Sequence, residues 1–297
     1  MEWLASIRKA LDFMEQNLQN DISVQDIAEQ VYISPFFLQK GFSLMTGYGI
    51  GEYLRNRRLS QAAADLLGTG DKIIDIALRY AYDTPESFTK AFTRFHGASP
   101  SQVRSGQAPA RSFLPLKISI VIQGGNSMDY RIMKMTPFKV IGFQREFGYE
   151  NSYAEIPVFW DEIDERYFRG LRDGRAPTDA VEKAIIDNKI GEYGVCVDDL
   201  CGNKFRYIIA GRYNGGEVPE GMVLYEFSGG EWAVFDCVGA LPEALQSVNT
   251  KVFNEWLPGN PDYELSGSAN VEWYSPDCDT SSPDCRSAIW VPVKKKT

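Results

Sequence analysis

The sequence predicts a multidomain chain: an all-α, double helix-turn-helix N-terminal domain, then an α+β domain of two β-α-β-β repeats on an antiparallel sheet. Three observations predict it. One helical motif recurs about 50 positions later within the first hundred residues. The texture then changes from helical period to strand alternation after the small, uncharged run Ser105-Gly106-Gln107-Ala108-Pro109-Ala110. Beyond that run, the order strand, helix, strand, strand occurs twice. The boundaries that follow are residues 1–104 for the helical domain, 105–127 for a linker and 128–297 for the second domain.

The first helix is an amphipathic segment carrying Trp3, Ile7, Leu11, Met14 and Leu18 at helical spacing. In the first copy of the motif, Val24-Gln25-Asp26-Ile27-Ala28 opens a short helix with Ile27 and Val31 on its apolar stripe. Ser34-Pro35 then opens a second helix that closes at Gly47. The second copy repeats this with Ile73-Ile74-Asp75-Ile76-Ala77, then Thr84-Pro85, closing at Gly97. The offset is 49 at Asp-Ile-Ala and 50 from Ser34/Thr84 onward, so one turn is a residue longer. Ser34 and Thr84 offer a hydroxyl N-cap, and each following proline sits where a missing N–H costs nothing. Ala28 and Ala77 are small where a crossing helix must come close.

Leu38/Phe42 and Phe88/Phe92 give each second helix an apolar side. The sides left over are Phe36, Gln39, Lys40 and Ser43 in copy one, and Glu86, Ser87, Thr89 and Lys90 in copy two. Tyr53 to Leu67, ending at Gly68 and Gly70, predicts a stiff connecting helix. Such a connector would set two recognition helices about 34 Å apart on one face of a duplex.

Residues 21 to 104 resemble the DNA-binding domain of AraC/XylS-family transcription regulators. The resemblance is carried by Ala81-Tyr82-Asp83, by Phe88-Thr89-Lys90-Ala91-Phe92-Thr93-Arg94-Phe95-His96-Gly97-Ala98-Ser99-Pro100, and by Arg104. Ala81 departs from it, standing where the family usually has glycine for a turn of positive φ. Gly41 departs as well, weakening the middle of the first recognition helix. The resemblance implies double-stranded promoter DNA as partner, and RNA polymerase if the protein is an activator. The residues expected to face base edges are Phe36, Gln39, Lys40, Glu86, Ser87, Thr89 and Lys90, in line with the pairing chemistry of Gln, Lys, Thr and Glu, with Ser43 beside them on the DNA-binding side. Arg94, with Arg55, Arg57, Arg58 and Arg104, is expected at phosphates.

The chain carries a formal charge of −9. Residues 1–112 hold 12 basic and 12 acidic side chains, so the acidity lies wholly in the second half. A neutral DNA-binding half predicts modest, salt-sensitive affinity. Five cysteines in a chain without an export leader or an apolar span predict reduced thiols in a cytoplasmic protein. The spacings of Cys196/Cys201 and Cys278/Cys285 are not of the short zinc-knuckle type, so neither a metal nor a cofactor is expected.

In the second half, strands are expected over 138–145, 193–197, 205–213, 222–227, 232–238, 269–274 and 288–293. Helices are expected around Pro157–Ile163 and Pro242–Trp256, with a cleft where the two repeats meet. This half resembles the GyrI-like effector-binding domains (SOUL-type fold). The carrying residues are Gly229-Gly230-Glu231-Trp232-Ala233-Val234-Phe235 with Gly239, Val271-Glu272-Trp273-Tyr274, and Ile289-Trp290-Val291-Pro292-Val293. The resemblance implies a cleft for aromatic, often cationic, lipophilic compounds, with Glu272 as counter-ion by position. Independently, strand alternation puts Asn270, Glu272 and Tyr274 on one face. A carboxylate among aromatics favours a cation over its neutral analogues. Trp160, Tyr193, Trp232, Tyr274 and Trp290 are the expected walls.

The expectation is thus a sequence-specific activator, monomeric on DNA, controlled by a small lipophilic or cationic effector. Two alternatives stand beside it: a second domain that hydrolyses small molecules through Glu272, or one that only binds protein partners. His-dependent catalysis is disfavoured there, because the single histidine, His96, lies in the helical half.

Overall fold

The computed structural model describes residues 3–118, 128–200, 204–276 and 278–296, the side chains of 198–200 excepted. In chain order its elements are α1 (Trp3–Gln16), α2 (Val24–Val31), α3 (Pro35–Thr46), α4 (Ile50–Gly68), α5 (Ile73–Arg79), α6 (Pro85–His96) and α7 (Pro100–Arg104). There follow β1 (Arg131–Met135), β2 (Phe138–Gly148), α8 (Ser152–Ile163), α9 (Arg169–Arg172), α10 (Ala180–Asn188), β3 (Tyr193–Leu200) and β4 (Lys204–Arg212). The last are β5 (Val223–Phe227), β6 (Gly230–Val238), α11 (Glu243–Lys251), α12 (Leu257–Gly259), β7 (Tyr263–Leu265), β8 (Ala269–Tyr274) and β9 (Arg286–Lys295). Part of the expected linker, residues 119–127, lies outside the described residues, as does Cys201.

By their contacts the residues form two units. One holds Leu4–Ile33 and the described part of Tyr48–Gln123. The other holds Trp3, Ser34–Gly47 and the described part of Gly124–Thr297. Helix α3, half of the first helix-turn-helix in sequence, therefore belongs by packing to the sheet-bearing unit.

The helical unit follows its sequence signals closely. Thr84 Oγ1 accepts from the Ser87 N–H at 3.2 Å with Pro85 at the first helical position, and Gly97 closes α6 at φ +80°. Phe88 and Phe92 sink into a core with Leu59, Leu66, Ile76, Ala77, Tyr80 and Val103. The turn after α5 places Ala81 at φ +60°, the left-handed conformation its position implied. His96 is buried: its Nε2 donates to the Leu59 carbonyl at 3.1 Å and its Nδ1 accepts from the Arg111 N–H at 3.0 Å. Glu15 receives a two-pronged pair from Arg57 at 2.8 and 2.7 Å and a bond from the Tyr53 hydroxyl at 2.7 Å. Burial works against its ionisation, yet these bonds hold its carboxyl below the usual value.

In the other unit every strand pair is antiparallel, in the order β1-β6-β9-β8-β3-β4-β2-β5, with β7 on β9. Reading outward from the central β3–β8 pair gives β3-β4-β2 on one side and β8-β9-β6 on the other. These are the same positions of the two repeats, which is the expected pseudo-symmetry. Each repeat also lends its leading strand to the other: β1 pairs with β6, and β5 with β2. Both helices that follow the repeats' first long strands, α8 and α11, run into a π-helical turn, at Asp164–Phe168 and Val252–Trp256. They meet on one sheet face, where Gln246 Nε2 donates to the Tyr153 carbonyl at 3.1 Å and Asn249 Nδ2 to the Tyr153 hydroxyl at 2.8 Å.

Candidate effector pocket and recognition helix

The centre of the sheet sets the pocket. In register, Glu272 of β8 lies opposite Gly194 of β3, and Asn270 opposite Cys196. On the next strand Cys196 pairs with Tyr207. These residues share the face covered by α8 and α11, because side chains alternate along each strand. Glu272 is only 8% exposed. Its Oε2 accepts from the Tyr207 hydroxyl at 2.7 Å and from the Tyr274 hydroxyl at 2.8 Å. Trp160 of α8 donates from Nε1 to the Tyr207 oxygen at 3.0 Å and packs edge-on against Tyr274, ring centroids 5.1 Å apart. Burial, then the neighbouring Glu272 charge, pushes both phenols well above their ordinary pKa. Both tyrosines therefore stay protonated and act as donors to the carboxylate.

Close approach makes the network possible. A β-carbon at Gly194 would stand 2.0 Å from the Tyr207 hydroxyl and 2.7 Å from Glu272 Oε2. Any side chain there would drive the phenol off the carboxylate, so glycine is the residue the geometry admits. Cys196, beside it, is buried, and its thiol is pushed up to about 12 by that burial. Among the described residues Glu272 takes part in no ion pair. The cavity over it has a volume of about 1290 Å³, with Trp160, Tyr274, Tyr153 and Phe205 among its walls.

Three expected walls lie elsewhere. Tyr193 and Trp290 pack edge-on at 5.7 Å, and Trp232 packs with Phe138 and Phe227, in a core that also holds Val195, Val197, Ile208 and Val271. This core is the opposite face of the sheet. Tyr193 and Gly194 are adjacent, as are Val271 and Glu272, so alternation turns Tyr193 and Val271 away from the carboxylate. Tyr207 was not anticipated, although alternation within Phe205–Tyr213 places Phe205, Tyr207 and Ile209 on one face.

The expected DNA-facing residues also divide. On α6, Glu86, Ser87, Lys90 and Arg94 are exposed and Thr89 is half-buried; Glu86, Thr89, Lys90 and Arg94 line one shallow depression. On α3, by contrast, Phe36 is 0% and Gln39 1% exposed, while Lys40 and Ser43 are half-buried. The expectation of an open face on α3 does not hold in this structure. Phe36 packs against Phe37, Tyr149 and Phe205, and α3 lies on β3 and on the π-helical turn Val252–Trp256. Its sequence is apolar on both sides, so it buries all round. Gly41 has a structural reason: a β-carbon there would meet the Trp3 ring at 2.3 Å.

Two further expectations are corrected. Arg57, expected at phosphate, is buried against Glu15, and Arg58 donates to the Leu18 and Asn20 carbonyls. Cys278 and Cys285, expected as reduced thiols, are joined in a disulfide closing a seven-residue separation, where the loop brings their Cα atoms to 5.3 Å. Among the described residues no helix is long and apolar enough to cross a membrane.

Residues 131–293 match the family model of the integron-associated effector binding protein, and residues 18–106 match a helix-turn-helix domain model. The transcriptional activator AarP of Providencia stuartii is 41% identical over 98 residues, 33% of this chain and 73% of its own. The right origin-binding protein of Escherichia coli K12 is 29% identical over 178 residues, 60% of each protein. The chain thus spans less than two thirds of that second relative. A solved structure of a protein bound to tetraphenylphosphonium is 21% identical, covering 56% of this chain and 94% of its own, with a TM-score of 0.44. The chain belongs to the integron-associated effector-binding family, and joins to that domain the helix-turn-helix domain of an AraC-family transcription regulator.

Proposed function

We propose that the protein is a transcription activator that reads promoter DNA with α6 and takes a lipophilic aromatic cation in the pocket over Glu272. The observation that carries the ligand class is the carboxylate itself. It is 8% exposed, bonded by two protonated phenols and roofed by Trp160, with no cation paired to it among the described residues. Two hydroxyl groups donate to the carboxylate without bringing a counter-charge, so the pocket offers a cation an acidic partner in an apolar, aromatic setting. A planar cation gains the carboxylate's charge and the ring faces together, whereas a neutral isostere gains only apolar burial.

DNA reading by α6 is supported by its open face: Glu86, Ser87, Thr89 and Lys90 have the donor and acceptor chemistry of base edges, and Arg94 that of a phosphate contact. The activator role follows AarP, whose name states it, and implies contact with RNA polymerase.

The test is an equilibrium titration of the full chain with crystal violet, a triarylmethyl cation, and with its neutral leuco form, repeated on Glu272→Gln. The expected result is selective binding of the cation, weakened on the order of a hundredfold in the variant by loss of the buried charge. Equal affinity for both forms, or indifference to Glu272, overturns the ligand class. Selection from a random duplex pool, with Lys90→Ala as control, tests the DNA half: enrichment that survives the substitution unchanged overturns the role of α6.

A further inference from the structure

One wall of the pocket is built by a helix of the same chain. Phe36, Lys40, Ser43 and Leu44 of α3 line the cavity together with Glu272, Trp160 and Tyr274. Lys40 brings an ammonium into it. Its Nζ donates to Asn270 Oδ1 at 2.7 Å, two residues from Glu272 on the same strand face. It also lies 5.8 Å from the Phe36 ring centroid and 3.9 Å from Cys196 Sγ. A cation against an aromatic ring beside a buried carboxylate is the chemistry the pocket selects.

We propose that α3 is a competing internal ligand of this pocket, with Lys40 as its specificity-determining group, so that a lipophilic cation entering the pocket releases the helix. The inference rests on the cationic-ligand reading given above. Its physical basis is an incomplete match. Lys40 is spent on the Asn270 amide oxygen, and Glu272 is left without an ion pair among the described residues. An external cation that pairs with Glu272 therefore gains an interaction that the α3-occupied state lacks. Such a differential interaction is what a ligand needs to shift an equilibrium between two states. Because the resident group is itself charged, a neutral molecule offers the carboxylate nothing in exchange.

The docked state also requires a close approach that one β-carbon would disrupt. It depends on Gly41, where a β-carbon would meet Trp3 Cζ2 at 2.3 Å and Cη2 at 2.4 Å. At the corresponding position, fifty residues on, α6 carries Ala91. The residues that occupation covers, Phe36 and Gln39, are those that the repeat aligns with the exposed Glu86 and the half-buried Thr89. Occupying the pocket and presenting this helix to DNA are thus mutually exclusive uses of one surface.

Hydrogen exchange of the α3 amides in the full chain, measured with and without crystal violet, tests this. Saturating dye should speed their exchange roughly tenfold or more, and the leuco form should not. Lys40→Met, which keeps the alkyl stem, should show the fast exchange without dye and bind the dye roughly tenfold more tightly, because the competing state is weakened. Lys40→Arg should remain protected. Gly41→Ala should also expose α3, by steric displacement and with improved helix propensity, which covers the case of a poorly folded Lys40 variant. Glu272-dependent dye binding with α3 still protected, and an affinity unmoved by Lys40→Met, overturns this inference alone. Dye binding that is absent or independent of Glu272 overturns both readings.

Discussion

Helices α3 and α6 begin alike, with a hydroxyl cap and a proline, and close alike at a left-handed glycine, at φ +74° and +80°. Between those ends the sequences part. Where α6 places Glu86, Ser87 and Thr93, α3 has Phe36, Phe37 and Ser43, and where α6 has Ala91, α3 has Gly41. The result is one helix with a single buried stripe and one buried on nearly every side. The motif's start and stop signals fix where a helix forms, but its outer residues fix what it can touch. A duplicated pattern is therefore evidence of duplicated local structure, not of duplicated use.

The largest expected effect that could break this comparison is on stability. Phe36→Ala removes a fully buried ring from contacts with Phe37, Tyr149 and Phe205. It should cost about 3–5 kcal/mol in the unit that contains it. The aligned Glu86→Ala, on an open face, should change stability by no more than about 0.5 kcal/mol. Denaturant titrations of the two variants decide the matter: similar small losses would mean that α3 is as open as α6.

A smaller difference is expected on DNA. Lys90→Ala should weaken binding to a selected duplex by about 1–3 kcal/mol, whereas Lys40→Ala in the ligand-free chain should leave binding unreduced, since Lys40 is held by Asn270. Fluorescence anisotropy at fixed salt reads both. A matching loss for Lys40→Ala would place both helices on DNA at once.

Smaller again is a pH effect confined to the helical unit. His96 is lowered from its ordinary 6.5 by burial, although its bond to the Leu59 carbonyl works the other way. A base depressed by folding binds fewer protons in the native than in the unfolded state. Its contribution is complete above pH 6.5 and is lost as the pH falls through the lowered value. Thermal melts between pH 7.5 and 5 should therefore show a decline that His96→Gln flattens. An unchanged slope in that variant would assign the acid sensitivity to other groups.

How far the sequence reached follows the same division between local and long-range signals. Caps, prolines, closing glycines and strand alternation are properties of a few neighbouring residues, and the elements they predicted are present. Glu272, Tyr274 and Trp160 do come together. Tyr193, Trp232 and Trp290 do not join them, because choosing a sheet face requires the register between strands that are distant in sequence, which alternation within one strand leaves open. Tyr207 was readable from its strand, and Gly194 from the rule that a glycine inside a strand marks close approach. The covering of α3 also left a trace, in the consecutive Phe36-Phe37-Leu38, too apolar for an open face.

The finest distinction concerns the turns that precede the two helices. Tyr32 and Ala81 occupy the same place, 49 residues apart, and both are left-handed, at φ +56° and +60°. In each turn the next residue's N–H reaches back five positions, Ile33 to the Ala28 carbonyl at 3.3 Å and Tyr82 to the Ala77 carbonyl at 3.0 Å. This is the helix ending that glycine ordinarily serves, and a β-carbon there is strained. Ala81→Gly should stabilise the helical unit by about 1 kcal/mol, because relief of that strain exceeds the added freedom of the unfolded chain. Tyr32→Gly should gain less, since it also removes the ring that Lys9 covers at 5.5 Å. A gain for Tyr32→Gly as large as that for Ala81→Gly would mean that the Lys9 contact contributes nothing and that the two turns are equivalent. A loss in both would show that the strain at these positions is smaller than the entropy that glycine restores to the unfolded chain.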